Sequence, residues 1–302
     1  MYTSSQEDPG GSNAMMDLRV RLRPMGVGDI LDETFRLYRA NAMLFAAIVA
    51  VLEVPAQVIA ILFSLAAPQA VQPVPGQDLT QQQINTILST NLSSAGYSSV
   101  GALVTTFASV LIAAALAWAI SNRYLGRAVT VGEAYSAVGG RIAVLILAAL
   151  WVGVRLILMF VTVIGIPFAI YFAIAWTLLS QAIMLEGNGI GAASARSREL
   201  VRGYWWKTLG LLLVVGIMVA IIGGIVVGLV GGVVAIVFPH PGYQTLRLIT
   251  GVAQLIVGVV LTPIQIVATT LLFYDLKIRK EAFDLEAMVG QASGDVSASY
   301  NN

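Results

Sequence analysis

The stretch that decides the fold is IAVLILAALWVGVRLILMFVTVIGIPFAIYFAIAWTLLSQAIML, residues 142–185, which holds a single charged side chain, Arg155. As one helix it would be roughly 66 Å long at 1.5 Å per residue, twice the thickness of a bilayer's hydrocarbon layer. It must therefore fold back on itself. Gly165-Ile166-Pro167 supplies the reversal, because glycine accepts unusual dihedrals and proline cannot continue the hydrogen-bond ladder of the preceding helix.

Working outward, four more apolar runs are long enough to cross about 30 Å of hydrocarbon, which takes roughly 20 apolar residues. The six predicted crossings are residues 42–65, 100–120, 142–161, 167–185, 209–237 and 248–273. The composition agrees: 58% of residues are hydrophobic, 11% are charged, and the mean hydropathy is +0.84. Such a chain is too apolar to fold around one water-soluble core. The predicted fold class is all-α, a polytopic membrane helix bundle of six transmembrane helices with short interfacial amphipathic helices.

Positive charge sets the expected orientation. Of the 17 Lys and Arg residues, all but Arg155 and Arg247 fall in residues 1–41, 121–141, 186–208 and 274–302. Cytoplasmic loops collect Lys and Arg, so both termini are expected in the cytoplasm and the chain in the cell's inner membrane. The expected organisation is a disordered cytosolic tail over residues 1–22, the six-helix domain over 23–288 and a disordered tail over 289–302. The opening residues lack the apolar stretch of a secretory signal. The outer segment 66–99, rich in Pro, Gln and Ser, reads as exposed, with one short helix near Gln81 to Leu88.

Amphipathic segments precede the first, third and fifth crossings, beginning at Gly28, Gly132 and Gly191. In the first, Val27, Leu31, Phe35 and Tyr38 recur at helical spacing, while Asp29, Asp32 and Arg36 occupy the remaining surface. The third ends at Tyr204, Trp205 and Trp206, whose rings favour the headgroup region. These segments read either as three copies of an interfacial helix followed by a hairpin or as basic loops obeying the orientation rule.

Inside the membrane, Glu53 lies in the first crossing with Gln57 one turn along, and Arg155 lies in the third. A charge at a helix centre costs about 2.5–3.5 kcal/mol on insertion scales, so the Glu53 carboxylate needs a partner or must stay protonated, and Arg155 is the intramembrane cation available. Counted from the cytosolic side the two lie at similar depth, which predicts that they can pair. With Gln265, close to Pro263 in the sixth crossing, they form either a small polar site or a structural ion pair beside helix kinks. In the fifth crossing Gly224, Gly228 and Gly232 let another helix approach closely. The expected partner is a helix of the same chain, with a second subunit in a homo-oligomer as the alternative.

Chemistry is scarce. There is no Cys and one His, His240, between two prolines in a predicted turn, and no acid cluster has metal-ligand spacing. No cofactor, metal or catalytic residue is predicted, and a net charge of +1 gives no nucleic-acid surface.

Three motifs carry a family resemblance. They are Arg23-Pro24-Met25-Gly26-Val27-Gly28-Asp29-Ile30-Leu31-Asp32 with Phe35-Arg36-Leu37-Tyr38; Arg196-Ser197-Arg198 through Arg202-Gly203-Tyr204-Trp205-Trp206; and Tyr274-Asp275-Leu276-Lys277-Ile278-Arg279-Lys280-Glu281-Ala282-Phe283-Asp284-Leu285-Glu286. Together they resemble the bacterial family named for the membrane domain of glycerophosphoryl diester phosphodiesterases, over residues 22–286. The resemblance implies a membrane part without the soluble barrel that carries the hydrolase chemistry. The expected role is a non-enzymatic membrane module that assists lipid or cell-envelope metabolism, its partners being the bilayer and other envelope membrane proteins. The alternative is a small-solute or lipid transporter using the polar site near mid-membrane. The terminal motif reads as a charged helix leaving the membrane, or as a surface that closes the interfacial helices into one platform.

Overall fold

The computed structural model describes residues 25–69, 71–73, 79–238 and 242–299, with side chains described for all of these except 243 and 282–299. The expected tail 1–22, the turn with His240, and Arg23 and Pro24 of the first motif lie outside the described residues. Among the described residues every regular element is a helix: α1 (Val27–Ala66), α2 (Gln81–Tyr124), α3 (Val131–Gly139), α4 (Ile142–Phe160), α5 (Gly165–Ala175), α6 (Leu179–Glu186), α7 (Ile190–Val201), α8 (Trp205–Val237) and α9 (Tyr243–Ser299). Six segments, with α5 and α6 taken together, are long and apolar enough to cross a membrane. The chain is an integral membrane protein of the all-α class.

The boundaries follow local chemistry. Asp29 accepts a hydrogen bond from the Gly26 N–H at 2.9 Å and so closes the start of α1. The amphipathic segment and the first crossing are one helix bent at Asn41, where φ is −131° and ψ is 20°. That bend falls one residue before the predicted crossing. Thr130 and Glu133 form a reciprocal capping box at the start of α3, with Thr130 N–H to Glu133 Oε2 at 2.8 Å and Glu133 N–H to Thr130 Oγ1 at 3.3 Å. These bonds, the backbone one foremost, hold the Glu133 carboxyl below its ordinary range. Thr80 and Gln83 cap α2 in the same way. The predicted short helix thus starts where expected but runs unbroken into the second crossing, since no proline interrupts residues 81–124. At the other end of the chain α9 continues as helix to Ser299, into the stretch composition reads as a tail.

The reversal at the decisive stretch occurs where expected but not through an unusual dihedral: Gly165 has no positive φ, and a glycine is needed because a Cβ would overlap the Met159 carbonyl oxygen. Helix α4 ends at Phe160, and α5 begins at Gly165. The single helix predicted over 167–185 is instead two, because the backbone leaves the helix at Trp176 to Leu178. The Ser197 hydroxyl of α7 donates to the Ala175 carbonyl at 2.7 Å and accepts from the Leu178 N–H at 3.3 Å. Backbone groups freed in apolar surroundings need such partners, and one serine supplies both. Helix α5 leans on the start of α8, where Tyr171 stacks on Trp205 with ring centres 6.1 Å apart.

Helix α1 lies between α2 and α9, and α8 packs on α9. Glycines permit the close crossings. A Cβ at Gly101 would stand 3.2 Å from the Ala60 Cα, and one at Gly251 would stand 3.1 Å from the Ile61 side chain. The buried core is concentrated toward one end of the bundle, on Ile112, Leu116 and Ile120 of α2, Leu271, Leu272 and Phe273 of α9, and Ile30, Phe45 and Ile48 of α1. The amphipathic segments gather at this same end, the basic end of the bundle.

The glycine row of α8 behaves otherwise than expected. Gly223 packs on Val257 of α9, but a Cβ at Gly224, Gly228 or Gly232 would meet nothing within 4 Å. Among the described residues the row therefore makes no close helix contact, because the helix is rotated so that its neighbour meets the residue beside it.

Candidate functional site

At the basic end, α9 carries Asp275 into the bundle with no exposed surface. An ionised carboxylate there requires charge and hydrogen bonds together. It accepts from the Met25 N–H at 2.6 Å, from the Lys207 ammonium of α8, and from Arg279 Nε, 3.1 Å from each carboxylate oxygen. The same two cations also donate to the Met25 carbonyl, Lys207 at 2.7 Å and Arg279 at 2.9 Å. One turn of α9 thereby clasps the chain entering α1 and the chain entering α8. Arg279 also lies over the Tyr204 ring, 5.6 Å from its centre.

A second cluster stands beside the first. Glu186 closes α6, and a negative charge at a helix C-terminus opposes the helix dipole unless cations gather around it. Arg196 of α7 reaches it with two nitrogens, at 3.1 and 3.2 Å, and Lys277 reaches it at 3.0 Å. Arg196 also pairs with Glu281 at 2.8 Å and with Glu199 at 3.5 Å. Burial works to lower the Arg196 pKa, but the bond and charge of Glu186, joined by Glu199 and Glu281, outweigh it and hold the pKa above its ordinary value. Across both clusters four cations face four carboxylates. The terminal motif thus commits Lys277 and Arg279 to protein carboxylates.

The other motif residues have separate surroundings. Arg36 pairs with Glu33 at 2.6 Å, and Arg198 donates to the Ser194 carbonyl of its own helix at 3.3 Å. Asp29 caps α1. Asp32, Arg202 and Trp206 are exposed, and Lys280 is half-buried. Trp205 stacks on Tyr171. Of the residues of the three motifs, Arg196, Glu199, Asp275, Lys277, Arg279 and Glu281 enter the charge clusters.

The four intramembrane candidates do not form one site. No ion pair joins Glu53 to Arg155. Glu53 faces α9, where a Cβ at Gly258 would lie 3.3 Å from its Oε1. Arg155 is exposed on α4, with its guanidinium carbon 3.6 Å from the centre of the Trp151 ring. Gln265 is exposed on α9. The expected pairing fails because equal depth along two helices leaves their rotations undetermined, and the two side chains leave their helices in different directions. Gln57 instead lines a cleft of about 320 Å³ between α1 and α9, with Ser64, Arg247, Thr250 and Gln254. Arg247 donates to the Ser64 carbonyl there at 2.7 Å.

Several positioning residues escaped the sequence reading. Glu186 had a legible signal, being an acid at the end of an apolar helix. Lys207 fell in the basic stretch 186–208 with no partner assigned. Arg141, which donates to the Ile183 and Met184 carbonyls at the end of α6, read as loop charge. Ser197 stood in the second motif, but nothing there pointed to its role, which depends on a break in another helix. Tyr135 of α3 donates to the Ile48 carbonyl at 2.6 Å and docks the second amphipathic segment on α1. Burial pushes its phenol up to about 12 from 10.0. The neutral phenol is the folded form, so its contribution to stability is whole below pH 10 and is lost as pH rises toward about 12. The tyrosinate difference spectrum between the parent and Y135F is expected to have its midpoint near the upper value. A midpoint at the ordinary tyrosine value would contradict the docking.

Among the described residues no group of three or more His, Asp or Glu side chains is placed to hold a metal ion. What the arrangement does chemically is neutralise charge and join segments; the clusters present carboxylates already saturated by cations. Compared with known proteins, the chain matches no family model, no curated protein and no solved structure.

Proposed function

We propose that this chain is a non-enzymatic inner-membrane module, with both termini cytoplasmic, that assists partners in lipid or envelope metabolism through its basic end. The resemblance to the membrane domain of glycerophosphoryl diester phosphodiesterases belongs to the same reading. The observation that carries it is the clasp of Asp275 on Met25, Lys207 and Arg279, beside Glu186 with Arg196 and Lys277. Charge joins segments distant in the chain at one surface there, which supports a docking platform.

Reconstituted in nanodiscs, the pure chain is expected to release nothing from glycerophosphodiesters. Cells lacking it are expected to show altered envelope lipid composition, restored by the full chain. Hydrolysis by the pure protein, or unchanged lipids in its absence, would refute the reading.

A second reading, transport of a small polar solute, is favoured by the polar cleft holding Gln57, Arg247 and Gln254, with Glu53 one turn deeper on α1. Glu53→Gln separates the two. A platform leaves the restored phenotype as in the parent, whereas a transport site loses most of it while topology is unchanged.

A further inference from the structure

The guanidinium of Arg155 makes no hydrogen bond or ion pair among the described residues, and its carbon lies 3.6 Å from the centre of the Trp151 ring. A guanidinium carries five N–H donors in a planar fork, and on this face of the bundle none of them is met by a protein acceptor among the described residues. The neighbouring Ile157, Leu158, Phe160, Val161 and Phe168 are all more than half exposed, so lipid, and not water, surrounds the group. An anion that meets it must carry its own apolar part.

The surroundings are shaped for such a molecule. A crevice of about 400 Å³ is lined by Arg155, Leu158, Met159, Thr162, Phe168 and Phe172. A second of about 340 Å³ lies between α2, α4 and the broken fourth run, with Ser109, Val152, Gly153, Trp176 and Leu179 in its wall. The rings of Phe172 and Trp176, one from each crevice, stack with centres 4.9 Å apart, and Trp176 meets Trp151 at 5.1 Å. Trp176 is 94% buried, and its indole N–H has no hydrogen-bond partner among the described residues. A buried donor left unmet in a crevice wall is a second, independent sign of a missing acceptor. From Phe172 the ring contacts continue through Tyr171 to Trp205 and Trp206, the aromatic pair that favours the headgroup region.

We propose that the α4–α5 face is a binding site for an anionic phospholipid, whose phosphate pairs with Arg155, whose ester carbonyl accepts from the Trp176 N–H and whose acyl chains occupy the two crevices. Guanidinium and phosphate match in charge and in bidentate geometry. The site stands apart from the charge clusters at the basic end and does not depend on the proposed platform role.

The test uses the full chain purified in mild detergent after exposure to vesicles of phosphatidylcholine with or without phosphatidylglycerol, with bound lipid counted by native mass spectrometry. The parent is expected to retain phosphatidylglycerol at least ten-fold better than R155Q, with R155K between them because an ammonium offers a point charge and no fork. Arg202→Gln, at an exposed position of the basic end, is expected to retain it as the parent does. Equal retention by R155Q overturns the proposal, as does an equal loss in R202Q, which would assign the lipid to general surface charge. Displacement by millimolar inorganic phosphate also overturns it, in favour of a free anion. On the unmodified protein, phosphatidylglycerol bearing a photoactivatable headgroup is expected to label the peptide holding Trp151 and Arg155, and labelling confined to other peptides refutes the site even if R155Q fails to fold.

Discussion

Replacing Asp275 with alanine is expected to destabilise the fold by about 3–5 kcal/mol, the cost of removing one partner from a buried ionic cluster. The side chain is fully buried, while those of Lys207 and Arg279 retain 16% and 26% of their exposure. Without the carboxylate, two cations and the Met25 N–H lose their shared acceptor, and little water is present to replace it. The damage would spread, because the same group joins the entry to α1, the start of α8 and the end of the membrane-spanning part of α9. D275N keeps the shape and one acceptor, so it should lose less. Replacing Asp275, Lys207 and Arg279 together by apolar residues should recover part of the loss, since no unpaired charge then remains. Thermal unfolding in detergent, tracked by tryptophan fluorescence and gel filtration, reads all of these. A D275A protein within about 1 kcal/mol of the parent would show that the cluster contributes no more than a surface ion pair does.

The second large effect belongs to the hairpin between α4 and α5. A Cβ on Gly165 would overlap the Met159 carbonyl oxygen and stand 2.6 Å from Thr162 Oγ1. The nearer atom is backbone, so no rotamer change relieves the clash. The turn is also held by the Gly165 N–H, which donates to the Thr162 carbonyl at 2.9 Å. Gly165→Ala is expected to cost about 3 kcal/mol or more, at or above the top of the usual range for overpacking, because the turn itself must move. Gly224→Ala is the control: it meets open space and favours helix, so it should be neutral or slightly stabilising. Equal unfolding midpoints for the two variants would rule out the steric account. Protease cleavage near residues 161–164 in G165A alone would support it.

Particular residues show how far local reading reaches. The reversal at Gly165, the bend before Ala42 and the start of a helix at Gln81 were legible, because each rests on a turn residue, an apolar boundary or a cap within a few positions. The break at Trp176 was not, because its freed backbone groups are satisfied by Ser197, from a helix about twenty residues later. The motif residues Asp275 and Arg279 were legible as important but not as partners of each other and of Lys207. Glu53 and Arg155 mark the opposite failure. Their depths counted along the sequence agreed, their helices turned them apart, and Arg155 lies exposed over the Trp151 ring in place of meeting a carboxylate.

Sequence alone determined that the chain is a membrane protein of six apolar runs, because the length and composition of a run decide whether hydrocarbon can accept it. The positions of its polar ends came from the same constraint along one axis. Only the tertiary structure decided which charges meet, which glycines approach a neighbour and which face of each helix is left exposed. Those outcomes depend on rotation about each helix axis and on neighbours distant in the chain, and packing selects them only when all the helices are assembled.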